Sequence, residues 1–153
     1  MDQHNEAIES ITIRILKAND KKVLDRVLPD VFDFEIDDKY RAEFLADSRH
    51  HLAVALAGDW VVGMASALHY VHPDKPNELW INEVGVAPAY QRRGIGKQLL
   101  EKLFDLAREL GCTEAWVLTE EENSAARGLY AAVGGSEESV VYVTFELAST
   151  EST

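Results

Sequence analysis

This sequence predicts an α/β fold built on a mixed sheet with helices on both faces, and three observations carry the prediction. The first half alternates apolar and polar residues in strand fashion, and one long stretch near residue 100 keeps a strong helical period. A strand, a helix and a further strand then follow in that order. Strands first and helical crossovers later argue a mixed sheet covered on both sides. The polar ends, residues 1–9 and 148–153, are expected to fray. No internal repeat or linker divides the chain, so residues 1–153 are read as one domain.

Ser10 to Leu16 places Ile11, Ile13 and Ile15 on one face, as a short strand does. Asn19 or Asp20 is set to cap a helix in which Val23, Leu24, Val27 and Leu28 recur at helical spacing, until Pro29 ends it. A second helix is expected over Asp38 to Ala46, with Tyr40, Phe44 and Leu45 as its buried side. Leu52 to Leu56 and Trp60 to Tyr70 are apolar runs joined by Gly58-Asp59, a hairpin signal. After the loop marked by Pro73 and Pro76, Glu78 to Val86 adds a third sheet segment. From Gly94 to Leu110, residues Ile95, Leu99, Leu100, Leu103, Leu106, Ala107 and Leu110 form a sustained stripe, capped by Gly111. Ala115 to Leu118 reads as a buried strand, Ser124 to Val133 as a helix ended by Gly134-Gly135, and Val140 to Leu147 as the final strand.

With 153 residues, 46% apolar and 27% charged, the chain can bury a real core and is not disordered, collagen-like or coiled-coil in composition. No run approaches the ~20 apolar residues of a membrane helix, and the first six residues lack a signal-peptide pattern. The single cysteine, Cys112, excludes an intrachain disulfide and fits a cytoplasmic setting. Charge is more telling: 15 Lys and Arg against 27 Asp and Glu leave a net −12. Such a field repels nucleic acid and anionic membranes and attracts polycations, so a basic partner is expected.

The strongest local signal runs from Val84 through Pro88 and Tyr90 to Lys97. A strand ends, Pro88 breaks the chain, and a long helix opens at Gly94 and Gly96. Each glycine in a helix costs ~1 kcal/mol against alanine, so two in the first turn need a reason. Close approach of a ligand to bare N–H groups at the positive end of a helix supplies one. Arg92, Arg93 and Lys97 add cations that can hold a pyrophosphate against the acidic field of the rest.

The run Gln91-Arg92-Arg93-Gly94-Ile95-Gly96 resembles the acyl-CoA pyrophosphate loop of the GNAT N-acetyltransferase superfamily. The preceding Val-x-Pro-x-Tyr and the later Asn123, Ala126, Leu129-Tyr130 and Gly134 are similar to that superfamily in order and spacing. The match is clearest over residues 78 to 136. It implies a GNAT-like fold with acetyl-CoA as co-substrate and no metal. Val84 and Val86 would pair with the pantetheine arm, while Gln91 to Lys97, Asn123 and Ala126 would hold the cofactor. Tyr130 would protonate the departing thiolate. Within the superfamily the layout is similar to the gentamicin-type aminoglycoside 3-N-acetyltransferases, through Ala67 to Pro73, Glu78 to Val86, Leu129-Tyr130 and Phe145-Glu146. Glu83, Asn82 and Thr144 stand where that family is expected to carry Asp, Tyr and His.

Glu83 also stands out without the resemblance. Strict alternation places it on the face of Leu79 and Ile81, where burial would raise its pKa and suit it to accept a proton from an ammonium. Gly85 makes a bulge beside it plausible. A phenol near pKa 10 at Tyr130 facing a thiol near 8.5 is a sensible proton donor. Asp30, Asp33, Glu35, Asp37 and Asp38 interleave with Phe32, Phe34 and Tyr40, a mix suited to ammonium groups and sugar rings. Asp33, Glu35, Asp37, Asp38 and Glu83 are therefore the expected acceptor contacts, with Glu146 carried over from the resemblance. Cys112 reads as a core residue. His69 and His72 lack partners at metal-ligand spacing, and the neighbours His50 and His51 cannot share a strand face.

The expected activity is direct acetyl transfer from acetyl-CoA to a primary amine of a polycationic small molecule, most specifically the 3-amino group of an aminoglycoside antibiotic. Glu83 would act as base and Tyr130 as acid. Antibiotic resistance would then be either a native role or a side activity of a metabolic enzyme. The rival readings are a polyamine or protein amine as acceptor, and a non-catalytic acyl-CoA-binding regulator. A homodimer is compatible with the edge that the final strand would offer.

Overall fold

A computed structural model describes residues 9–148. The expectation that the ends fray falls mostly on residues outside the described ones. Five strands lie in chain order across one sheet: β1 (Ile11–Ile15), β2 (His50–Ala57), β3 (Trp60–Tyr70), β4 (Glu78–Val86) and β5 (Glu114–Val117). The first four are mutually antiparallel, and β5 joins β4 in parallel through a helical crossover. The helices are α1 (Asp38–Ala46), α2 (Ile95–Glu109) and α3 (Ser124–Ala132), with short 3-10 turns at Lys21–Asp25 and Pro88–Tyr90.

Helix α2 lays Ile95, Leu99, Leu100, Leu103 and Ala107 on a sheet face of small residues, Ala53, Ala55, Ala65 and Ala67, flanked by Leu79 and Ile81. Small side chains there let the helix sit close to the strands. Each large apolar side chain so buried contributes roughly 1.5–3 kcal/mol. The opposite face packs Leu52, Val54, Val61 and Met64 against Leu16, Leu24 and Val31. Helices α2 and α3 end alike. Gly111 and Gly134 take the left-handed conformation, and the next residue donates back into the helix: Cys112 N–H to the Ala107 carbonyl (2.9 Å), Gly135 N–H to that of Tyr130 (2.9 Å).

Four expectations are corrected. The helix over Val23 to Leu28 is only the 3-10 turn Lys21–Asp25, because Val27 is drawn into a bridge with Val61. Leu28 N–H donates to the Val61 carbonyl (3.0 Å) and Val61 N–H to that of Arg26 (2.8 Å). Asp20 caps nothing and instead accepts from the Lys17 N–H and pairs with Arg14. On α1, Tyr40 is exposed rather than buried, because that helix leans on the sheet only through Phe44 and Leu45.

The third correction concerns β4. Ala67 faces Ile81 while its neighbour Ser66 faces Glu83, so Asn82 is an extra residue in the ladder. The bulge sits there and not at Gly85. It moves Glu83 off the Leu79–Ile81 face onto the opposite one. Fourth, no strand forms over Val140 to Leu147. Arg127 clasps Glu137 with two hydrogen bonds of 2.8 Å just past the end of α3, and the chain then runs clear of the sheet.

Candidate active site

Beyond Ile81 and Val117, β4 and β5 are no longer paired, and the β5-side backbone of Val84 to Val86 borders a gap. A cavity of about 360 Å³ lies along this part of β4, lined by Asp30, Val31, Asp33, Met64, Glu83, Val84, Gly85, Val86 and Gln91. The loop around Asp30, itself left-handed at φ 66°, crosses β4 so closely that a Cβ at Gly85 would collide with the Val31 carbonyl oxygen. Glycine is therefore required at 85 by contact with the loop.

A second cavity of about 270 Å³ adjoins it on the α1 side, and Asp33 and Glu83 line both. Its walls include Phe32, Phe34, Glu35, Asp37, Tyr40, Phe44 and Ser66. Of the expected acceptor contacts, Asp33, Glu35, Asp37 and Glu83 thus share one hollow. Asp37 spends one oxygen capping α1, accepting from the Tyr40 N–H (2.9 Å). Asp38 does not line the hollow and pairs with Arg41, which also holds Asp25 at 2.6 Å. Glu146 lies on the exposed tail and is not brought there.

Partial burial holds the Glu83 carboxyl above its ordinary pKa, and the nearby charge of Asp33 pushes it further the same way. Burial alone raises Tyr130, which packs at the edge of the main core. A phenol so placed keeps its proton well into the alkaline range.

At the start of α2, Arg92 (φ 63°) and Gly94 (φ 76°) are both left-handed, and turns built on such residues group backbone N–H donors for anions. The first intrahelical bond is from Gln98 N–H to the Gly94 carbonyl, leaving the N–H groups of Ile95, Gly96 and Lys97 for a ligand. Gly96 lies against α3, where a Cβ would come within 3.1 Å of Leu129. Arg93 sits over the Tyr90 ring at 5.0 Å, and among the described residues neither Arg92, Arg93 nor Lys97 has a carboxylate partner. Gln91 is engaged internally, its Nε2 donating to the Val86 carbonyl (3.0 Å) and tying the loop to the end of β4. Asn123 Oδ1 caps α3 at the Ala126 N–H (3.0 Å). Free donors, three cations and an open strand edge fit an acyl-CoA: pyrophosphate at the helix start and an amide-bearing arm along Val84 to Val86.

Sequence reasoning missed Met64 and Ser66 as lining residues, since register, not residue type, brings them in; Asp30, named in the acidic cluster but not among the expected acceptor contacts, also lines the first cavity. The residues set aside behave as structure. Burial raises the Cys112 thiol, and His51, at a pKa of about 4 from burial, shares a 2.8 Å hydrogen bond with His69. Among the described residues no group of metal-ligating side chains converges, and no helix is long and apolar enough to cross a membrane.

Comparison with known proteins agrees with this fold. N-alpha-acetyltransferase RimI of Mycobacterium tuberculosis is 40% identical over 90 residues, 59% of this chain and 54% of that protein. Streptothricin acetyltransferase of Streptomyces lavendulae is 33% identical over 89 residues, 58% of this chain and 45% of that one. The chain thus spans about half the length of these relatives. Among solved structures, an aminoglycoside acetyltransferase from an uncultured soil metagenomic sample, in complex with sisomicin, superimposes with a TM-score of 0.81 at 22% identity, covering 90% of this chain and 97% of that one. The enzyme AAC(6')-Iy, in complex with a bisubstrate analogue of CoA and acetylneamine, gives 0.75 at 22% identity, covering 90% and 99%. At these identities the structures establish the fold. The model of the Acetyltransferase (GNAT) family matches residues 21–134, most of the chain and all of the cavity-forming elements, and the chain belongs to that family.

Proposed function

We propose that this protein transfers acetyl from acetyl-CoA to a primary amine of a polycationic small molecule, with an aminoglycoside as the favoured acceptor. The observation that carries the acceptor class is the second cavity, where Asp33, Glu35, Asp37 and Glu83 meet Phe32, Phe34 and Tyr40. Carboxylates bind ammonium groups and aromatic faces stack on sugar rings. The 3-amino position is supported by the resemblance of residues 67–73, 78–86 and 145–146 to the gentamicin-type enzymes. Solved relatives of the same fold include aminoglycoside acetyltransferases, one described as acting at the 6' position by its name. A peptide N-terminus is the second reading, favoured by the 40% identical stretch shared with the RimI protein.

When bound, acetyl-CoA supplies an acetyl group activated as a thioester. Glu83 accepts the proton that the acceptor ammonium must lose, at a carboxyl whose raised pKa suits the transfer. Asp33 orients the same ammonium from across the shared hollow. Tyr130 donates its phenolic proton to the leaving sulfur, and its burial keeps that proton in place until then. Arg92, Arg93, Lys97 and the N–H groups at the start of α2 hold the pyrophosphate.

The test is thiol release from acetyl-CoA with gentamicin, spermidine and an alanine-ended peptide side by side. Saturable turnover on gentamicin alone supports the aminoglycoside reading. Turnover only on the peptide or on spermidine overturns the acceptor and leaves the chemistry standing. CoA binding with no turnover on any amine would identify an acyl-CoA-binding regulator. Tyr130→Phe should lower kcat about 10²–10⁴-fold, the usual contribution of a positioned acid, with CoA affinity unchanged by calorimetry. Equal losses of both would remove Tyr130 from the acid's role.

A further inference from the structure

We propose that Tyr90 is a positioning residue for the phosphates of CoA, holding the Arg93 guanidinium ready at the start of α2. Its ring holds Arg93, and Glu9 in turn holds the ring. This rests on the reading that acetyl-CoA binds at that helix start, and adds what keeps one of its cations available.

Tyr90 is fixed from three sides. It ends the Pro88–Tyr90 turn, where its N–H donates to the Ala87 carbonyl (2.8 Å). Its side chain packs against both hydrophobic clusters, one on each face of the sheet. Its hydroxyl donates to the carboxylate of Glu9, just before β1. That hydrogen bond, then burial and the Glu9 charge, raise the Tyr90 phenol against a lowering by Arg93. The hydroxyl therefore keeps its proton at neutral pH and stays a donor. Arg93 lies over the face of the same ring, its Cζ 5.0 Å from the centroid. The next residue, Gly94, caps α2.

The arrangement solves a problem of charge. In a chain with 27 acidic and 15 basic residues, a long flexible cation is drawn to any carboxylate within reach. Here that carboxylate is Glu9, which acts on the same phenol as Arg93. A direct Arg93–Glu9 ion pair would engage the guanidinium donors and cancel the charge that a phosphate needs. Among the described residues no such pair forms. Tyr90 occupies the carboxylate with a neutral O–H and offers the guanidinium its ring face instead. Cation–π attraction uses no N–H donor, so the guanidinium fork remains for two phosphate oxygens. It also restricts, before the ligand arrives, a side chain that would otherwise lose its rotamer freedom on binding.

Calorimetry of CoA binding to the full chain tests this. Tyr90→Leu should raise Kd about two- to tenfold, the range of one lost cation–π contact and one freed side chain. Tyr90→Phe keeps the ring and every formal charge, so its loss should be smaller. In Arg93→Ala, adding Tyr90→Leu should cost nothing more, because the ring then has no cation to hold. A Tyr90→Leu loss undiminished in Arg93→Ala overturns the proposal, since Tyr90 would then act through packing of the turn. Equal losses for Phe and Leu overturn it too, as does an unchanged Kd in Tyr90→Leu. Absence of CoA binding by the wild-type chain would overturn the cofactor reading and the proposal with it. The side-chain proton resonances of Arg93 in the unliganded wild-type chain need neither cofactor nor variant. The ring current of Tyr90 should move them upfield; ordinary positions overturn the positioning role and leave the cofactor reading standing.

Discussion

Glu83 and Asp33 form a pair of carboxylates in which one tunes the other. Burial raises Glu83, and the like charge of Asp33 adds to the rise. In the proposed mechanism Glu83 must be ionised to act as the base, so activity is expected to fall as pH drops through its pKa. Because that pKa is raised, the acid limb of kcat/KM is expected at higher pH than an unperturbed glutamate would give. Asp33→Asn removes the like charge and lets Glu83 ionise at lower pH, so the acid limb should move towards acid. The same variant gives up an ammonium contact, so KM for the amine should rise. A pH profile of kcat/KM on both proteins checks the sign; a limb that stays in place in Asp33→Asn would separate the two carboxylates. Glu83→Gln should abolish the limb and cost about 10²–10⁴-fold in kcat.

Between elements, two glycines near the cleft do different jobs and should fail differently. Gly85 lies under the Asp30–Val31 loop, and a Cβ there has no room against backbone. Gly85→Ala should cost about 1–3 kcal/mol in urea unfolding and displace the loop that carries Asp33. Gly94 has nothing within 4 Å, so only its positive φ resists substitution. Gly94→Ala should cost about 1–2 kcal/mol, with its larger effect on CoA affinity as the cradle distorts. Elements were legible where one periodic face decides them: the α2 stripe, the β3 and β4 runs and the glycine stops of α2 and α3 were all visible as sequence. Glu83 was visible as an odd carboxylate, but its face was not, because the Asn82 bulge is a property of the β3–β4 register. The helix over 23–28 failed for a similar reason, as pairing of Val27 with Val61 overrode helical spacing. Asp38 and Asp33 look alike in sequence; only Arg41 beside the first and the cavity beside the second tell them apart.

For the whole molecule, the net charge of −12 would act on the two substrates of the proposed reaction in opposite senses. In the proposed reaction a polycationic amine is drawn in by the general field, whereas anionic CoA is held against it by the local patch of Arg92, Arg93 and Lys97. Salt separates these contributions. Between about 0.01 M and about 0.1 M ionic strength the Debye length falls from about 30 Å to about 10 Å, which removes long-range attraction but leaves contacts within the cleft. KM for the amine should therefore rise severalfold across that range. KM for acetyl-CoA should change less, because screening weakens both the local attraction and the general repulsion. Steady-state kinetics at two salt concentrations, with each substrate varied in turn, measure both. Weakening the patch with Arg93→Glu should leave the amine's salt dependence intact while raising KM for acetyl-CoA at every salt concentration. If the amine's KM were insensitive to salt, capture would rest on Asp33 and its neighbours alone, and the acidity of the remaining surface would have no part in choosing the acceptor.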